Sequence, residues 1–101
     1  FHLVSLNSKN CLINTHKIAE GNIIACGILP GDIFKPLIVE SAVAAILIHN
    51  HPSSGDPSPS EEDLYTTKRL SGAAELLGIK ILDHIIIGDN RYYSMADNSQ
   101  L

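Results

Sequence analysis

The chain has 101 residues, 45% of them apolar and 18% charged, with a formal net charge of −4. That length suits one domain and that composition an ordinary globular core, while the acidic balance argues against a nucleic-acid surface, which needs clustered Lys and Arg. No apolar run approaches the ~18 residues of a membrane span, and no secretory leader is recognised, so a cytoplasmic location is expected.

Phe1 to Leu6 has the apolar bias of a strand, Asn7 to Asn10 reads as a turn, and Cys11 to Ala19 as a second strand forming a hairpin with the first. Cys11 and Cys26 are too few for a disulfide framework. They read as small buried apolar residues in a reducing compartment. Glu20-Gly21-Asn22 closes the second strand, and Ile23 to Leu29 is a third extended piece broken by Gly27. Pro30 opens a helix with Asp32 in its first turn. Ile33, Phe34, Leu37 and Ile38 give that helix a buried face, Pro36 should kink it or delay its start, and Glu40 should point outward into solvent. The run Val43 to Ile48 is a short buried strand. A second helix spans about Ser60 to Leu77, with Leu64, Leu70, Ala73, Ala74 and Leu77 on its apolar side and Gly78 as C-cap. Ile79 to Ile87 is a long strand, Gly88 to Asn90 turns it, Arg91 to Met95 is an edge strand, and the polar tail from Ala96 is loosely held. Strands, then helix, strand, helix, strand describe an α/β sandwich.

The stretch that concentrates chemistry is His49 to Asp63, HNHPSSGDPSPSEED. His49 and His51 stand two residues apart at a strand end, so both rings project from one face. Asn50 faces the other way. Ser60 precedes Glu61, Glu62 and Asp63 as an N-cap with an acid three residues on, close to a capping box. An Asp63 carboxylate in that first turn can swing back toward the two rings. Two imidazole nitrogens and one carboxylate oxygen are three protein ligands, which on zinc leave a fourth position open, the catalytic pattern. Asp83 and His84 are adjacent on a strand and face opposite ways. Either is a buried, hydrogen-bonded polar residue or a partner behind a metal ligand. Asp56 reads as a turn-former.

His49-x-His51 followed by Ser60-x-x-Asp63 resembles the JAMM (MPN+) metalloprotease signature. The words HNHPS, DPSPS, LLGI and LDHIIIG resemble the RadC family of bacterial JAMM-like proteins, over nearly the whole chain. One departure stands out. The JAMM pattern has ten residues between the second His and the Asp, and here positions 52 to 62 make eleven. A strict count puts the ligand at Glu62. An extra residue at Ser53-Ser54, accommodated as a loop bulge, keeps Ser60-x-x-Asp63 intact, and that reading is preferred.

The resemblance implies a three-layer JAB/MPN, cytidine-deaminase-like sandwich, its mixed sheet flanked by two main helices. It implies zinc (Zn2+) on His49, His51 and Asp63, and a hydrolase acting on an amide or isopeptide bond in a peptide or protein substrate. In such enzymes the serine at the Ser60 position donates to the oxyanion, and an upstream glutamate acts as general base. Glu20, in HKIAEG, is the choice for that base. Other RadC members carry glutamate at the position of His16, which shares a strand face with position 20. Glu40 is a poorer candidate because it lies on a helix. The family is named for DNA repair, and a helical DNA-binding-like region commonly precedes the domain, so residues 1–101 are expected to be part of a longer chain. Direct nucleic-acid binding by this domain is not expected, and homodimerisation is left open. The rival reading is a non-catalytic metal-binding or protein-interaction module. A deaminase is disfavoured, because its HxE and distant PCxxC are missing.

Overall fold

The computed structural model describes residues 1–19, 28–51 and 55–101. The expected third extended piece lies largely outside that set, and Glu20 and Cys26 lie wholly outside it. The described elements are β1 (His2–Leu6), β2 (Leu12–Lys17), α1 (Pro30–Val39), β3 (Ala44–Asn50), α2 (Glu61–Leu77), β4 (Lys80–Gly88) and β5 (Arg91–Ser94).

The five strands form one mixed sheet in the order β2-β1-β3-β4-β5. β1 pairs antiparallel with both β2 and β3, β3 and β4 run parallel, and β4 and β5 form an antiparallel pair. The β1–β2 turn is built by Asn7, whose side-chain oxygen accepts from the Lys9 and Cys11 amides, while Asn10 takes a left-handed φ of 59°. A parallel pair needs a crossover, and α2 supplies it.

Register decides which side chains meet the helices. Leu3 lies opposite Leu47, and Ser5 opposite Ala45. Leu3, Ala45 and Leu47 share one buried cluster with Ile33, Phe34 and Leu37 of α1 and Leu70 and Ala74 of α2. The expected α/β architecture, a mixed sheet with two main helices, is present. Both helices pack on the same side of the sheet, so the described residues make two layers. The other side shows Ile46, Ile48 and Ile85 half-buried, with Ile87 46% and Tyr92 66% exposed.

Several local expectations are corrected. Cys11 is exposed, because it precedes β2, an edge strand whose residues are mostly open to solvent. Glu40 does not simply point into solvent: it caps α1 and bonds to His16 and Asn14 of β2. Pro36 lies inside α1 without delaying its start at Pro30, where the Asp32 carboxylate accepts from the Leu29 amide. Leu77 is 49% exposed. The buried side of α2 is Asp63, Thr66, Thr67, Leu70 and Ala74, more polar than the expected apolar stripe because its first half covers histidines. The tail is tied down, with the Ala96 amide on Asp83 and the Gln100 amide on the Met95 carbonyl. No helix among the described residues is long and apolar enough to cross a membrane.

Candidate metal centre

The centre forms where β3 ends and α2 begins. His49 continues the inward face of Ala45 and Leu47, so its ring is buried under α2. Asn50 turns outward and is exposed, as alternation requires. His51 follows the strand, its amide donating to the Ile87 carbonyl of β4 at 3.0 Å.

At the start of α2 the capping box is complete. Ser60 Oγ accepts from the Asp63 amide at 3.0 Å, and the Ser60 amide donates to Asp63 Oδ2 at 2.9 Å. The box fixes the Asp63 carboxylate at the helix mouth, buried, while Glu62 is exposed. The acid that reaches the histidines is therefore Asp63 and not Glu62. The loop positions 52–54 themselves lie outside the described residues.

The donor atoms of His49, His51 and Asp63 all lie within 4.8 Å of one another. His49 Nε2 is 3.1 Å from His51 Nε2. Asp63 Oδ2 is 3.1 Å from His51 Nε2, and Oδ1 is 3.5 Å from His49 Nε2. Ligands about 2.0–2.1 Å from a tetrahedral zinc are spaced by roughly 3.3 Å, so the two histidine nitrogens, 3.1 Å apart, have the spacing such an ion requires, and the carboxylate offers one oxygen toward each ring.

Hydrogen-bond logic supports the fit. His51 Nδ1 lies 2.9 Å from the Asp56 carbonyl oxygen, which can only accept, so Nδ1 carries the proton. A neutral His51 then has a bare Nε2 facing His49 Nε2 and the Asp63 carboxylate. Electron-pair donors turned on one point repel one another unless a cation shares them. Burial works against the Asp63 charge, but the adjoining His49 ring and the Ser60 amide outweigh it, and the carboxyl sits well below the usual range. It is a carboxylate, the form a metal needs.

Behind His49 stands His84. His49 Nδ1 is 2.7 Å from His84 Nε2, and His84 Nδ1 is 2.5 Å from Thr67 Oγ1. Burial, then the neighbouring His49, hold the His84 pKa down to about 3, so its ring is neutral. Of the adjacent pair Asp83 and His84 on β4, His84 is thus the one behind a candidate ligand. Asp83, on the other face, accepts from Ser94 Oγ and the Ala96 amide. Thr67 went unread in the sequence. Its signal is the i, i+4 spacing from Asp63, which puts both on one helix face.

His16 is turned to Glu40, Nε2 to Oε1 at 2.9 Å. Ala19, the last described residue before Glu20, accepts from the Phe1 amine at 2.8 Å, and the Phe1 ring stacks on His49 with centroids 5.9 Å apart.

Residues 1–100 match the RadC-like JAB domain. The chain is 50% identical over its full length to a UPF0758 protein of Syntrophotalea carbinolica, covering 44% of that protein. It is 50% identical over its full length to a UPF0758 protein of Alkaliphilus metalliredigens, covering 43%. Over 90 residues, 89% of the chain, it is 51% identical to a UPF0758 protein of Carboxydothermus hydrogenoformans, covering 39%. The chain thus spans less than half the length of these curated relatives.

Proposed function

This chain belongs to the RadC-like JAB domain family, and from that premise we propose that it is a zinc-dependent hydrolase of amide or isopeptide bonds, of the JAMM type. The observation that carries the reading is the convergence of His49 Nε2, His51 Nε2 and the Asp63 carboxylate, one donor atom from each within 4.8 Å of the others. Zinc held there supplies Lewis acidity, which polarises a carbonyl and makes water a nucleophile near neutral pH.

The chain's own residues divide the remaining work. His49, His51 and Asp63 would hold the ion. Ser60 Oγ accepts from the Asp63 amide, which leaves its hydroxyl proton free to donate to a developing oxyanion. One such donor lowers a barrier by roughly 3 kcal/mol. Glu20 takes the proton from the attacking water and passes it to the leaving amine. Of the three positions weighed for that base, His16 and Glu40 bond to each other, which favours Glu20.

A second reading, a metal-binding interaction module, draws on the exposed Ile87 and Tyr92 of the sheet face that no described helix covers. Zinc content and cleavage of a peptide library, measured for wild type, His51→Ala and Glu20→Gln, separate the two. The hydrolase predicts about one zinc and cleavage in the wild type, zinc without cleavage in Glu20→Gln, and weakened zinc in His51→Ala. Stoichiometric zinc with no cleavage by the wild type leaves the module.

A further inference from the structure

A closed, buried circuit of hydrogen bonds begins and ends on the candidate ligands. Thr67 Oγ1 lies 2.8 Å from the Asp63 carbonyl oxygen, and two oxygens that close need a proton between them. The carbonyl has none, so the hydroxyl donates. Thr67 has then spent its only proton. Its oxygen can meet His84 Nδ1, 2.5 Å away, only as an acceptor, so His84 carries its proton on Nδ1. His84 is 1% exposed and its ring nitrogens face a hydroxyl and an imidazole, not a carboxylate, so burial favours the uncharged ring, whose bare Nε2 accepts from His49 Nδ1, 2.7 Å away. His49 thus has its proton on Nδ1 and its lone pair on Nε2, the nitrogen facing His51 and Asp63.

We infer that His84 is a positioning residue, oriented by Thr67, whose circuit holds His49 in the one tautomer able to ligate a metal. The inference rests on the metal-centre reading above and adds to it a role for two residues that would not touch the ion. His84 and Thr67 are each 1% exposed, so water cannot stand in for either partner. The rival arrangement runs the chain backwards: Thr67 donates to His84 Nδ1, His84 Nε2 donates to His49 Nδ1, and the His49 proton moves to Nε2, where the metal belongs. Only the Thr67–Asp63 bond separates the two. The circuit also links β3, β4 and α2, so the spacing of His49 from Asp63 is set by bonds within the protein before any ion arrives.

The discriminating substitutions are at Thr67, because Val keeps the shape and removes the hydroxyl while Ser keeps the hydroxyl. Zinc affinity is read by competition with a chromophoric chelator, with thermal melts to check folding. Thr67→Val is expected to bind zinc about 10–100-fold more weakly, and Thr67→Ser within about threefold of wild type. Nitrogen-15 NMR of histidine-labelled wild type, which needs no variant to fold, should show the His84 and His49 protons on Nδ1. Equal zinc affinity in folded Thr67→Val and Thr67→Ser, or a His84 proton on Nε2, overturns the inference while leaving the metal centre standing. A wild type that takes up no zinc overturns the metal-centre reading and this inference with it.

Discussion

Glu40 shows how one side chain can join two elements that the sequence does not visibly connect. It caps α1, yet its carboxylate reaches β2, where it accepts from Asn14 Nδ2 at 3.1 Å and pairs with His16 Nε2. The hydrogen bond from His16 is the main reason its carboxyl sits below the ordinary range. Burial opposes this, and Ser5 and Asn14 add to it. A carboxyl depressed by folding contributes stability above its unfolded pKa of about 4.3 and loses it as pH falls through the lower folded value. Glu40→Gln should therefore cost up to about 1 kcal/mol at pH 7, the scale of a partly screened pair, and progressively less below about pH 4. Urea melts of both proteins at pH 7 and pH 3 test this. A cost that does not change with pH would assign the role to packing. The residue scale is also where sequence reading was most uneven. His49 and His51 were legible because alternation alone puts i and i+2 on one face. The exposure of Cys11 was not, since burial at an edge depends on which strands lie beside it. Nor was the Thr67–His84 contact, which needs the register of β4 against α2.

Helix α2 separates structural from functional capping, because its two ends are built differently. At the start, Ser60 both satisfies the Asp63 amide and aims the Asp63 carboxylate. At the finish, Gly78 takes a left-handed φ of 72°, its amide bonded back to the Ala74 and Glu75 carbonyls. Ser60→Ala loses a cap worth about 1 kcal/mol. Gly78→Ala meets no atom within 4 Å and costs a similar amount, roughly 1–2 kcal/mol, through backbone strain alone. The two variants should thus melt alike and, because the Ser60 main-chain amide that aims the Asp63 carboxylate survives in Ser60→Ala, both should keep zinc, while only Ser60→Ala slows cleavage. Equal loss of zinc in both would mean that general loosening of α2, and not the aim of Asp63, governs the centre. The ends of this helix could be read from Ser60 and Gly78 because capping is local chemistry. Its buried face could not. The apolar stripe through Leu64 and Leu77 ignores that its first turns lie over His49 and His84, which favours Asp63 and Thr67 inward and leaves Leu77 beyond the sheet.

For the molecule as a whole, the candidate centre is a joint between layers. His49 and His51 belong to the sheet side and Asp63 to the helix that crosses over to β4, so an ion on all three would bind the folded chain and have no comparable site in the unfolded one. Such a ligand stabilises by mass action, by about 2.7 kcal/mol at one hundred times its dissociation constant. In a domain of about 100 residues each kcal/mol shifts the melting temperature by about 4–8 °C, so zinc should raise it by roughly 10–20 °C. The shift should vanish with a chelator and be largely absent in His51→Ala and Asp63→Asn, each of which removes one of the three donors. Differential scanning calorimetry of the metal-free protein with and without zinc measures it directly. A melting temperature indifferent to zinc would mean that the three donors, though close together, do not share an ion, and the joint between sheet and helix would then rest on the Thr67–His84–His49 bonds and the apolar cluster that includes Leu47, Leu70 and Leu37.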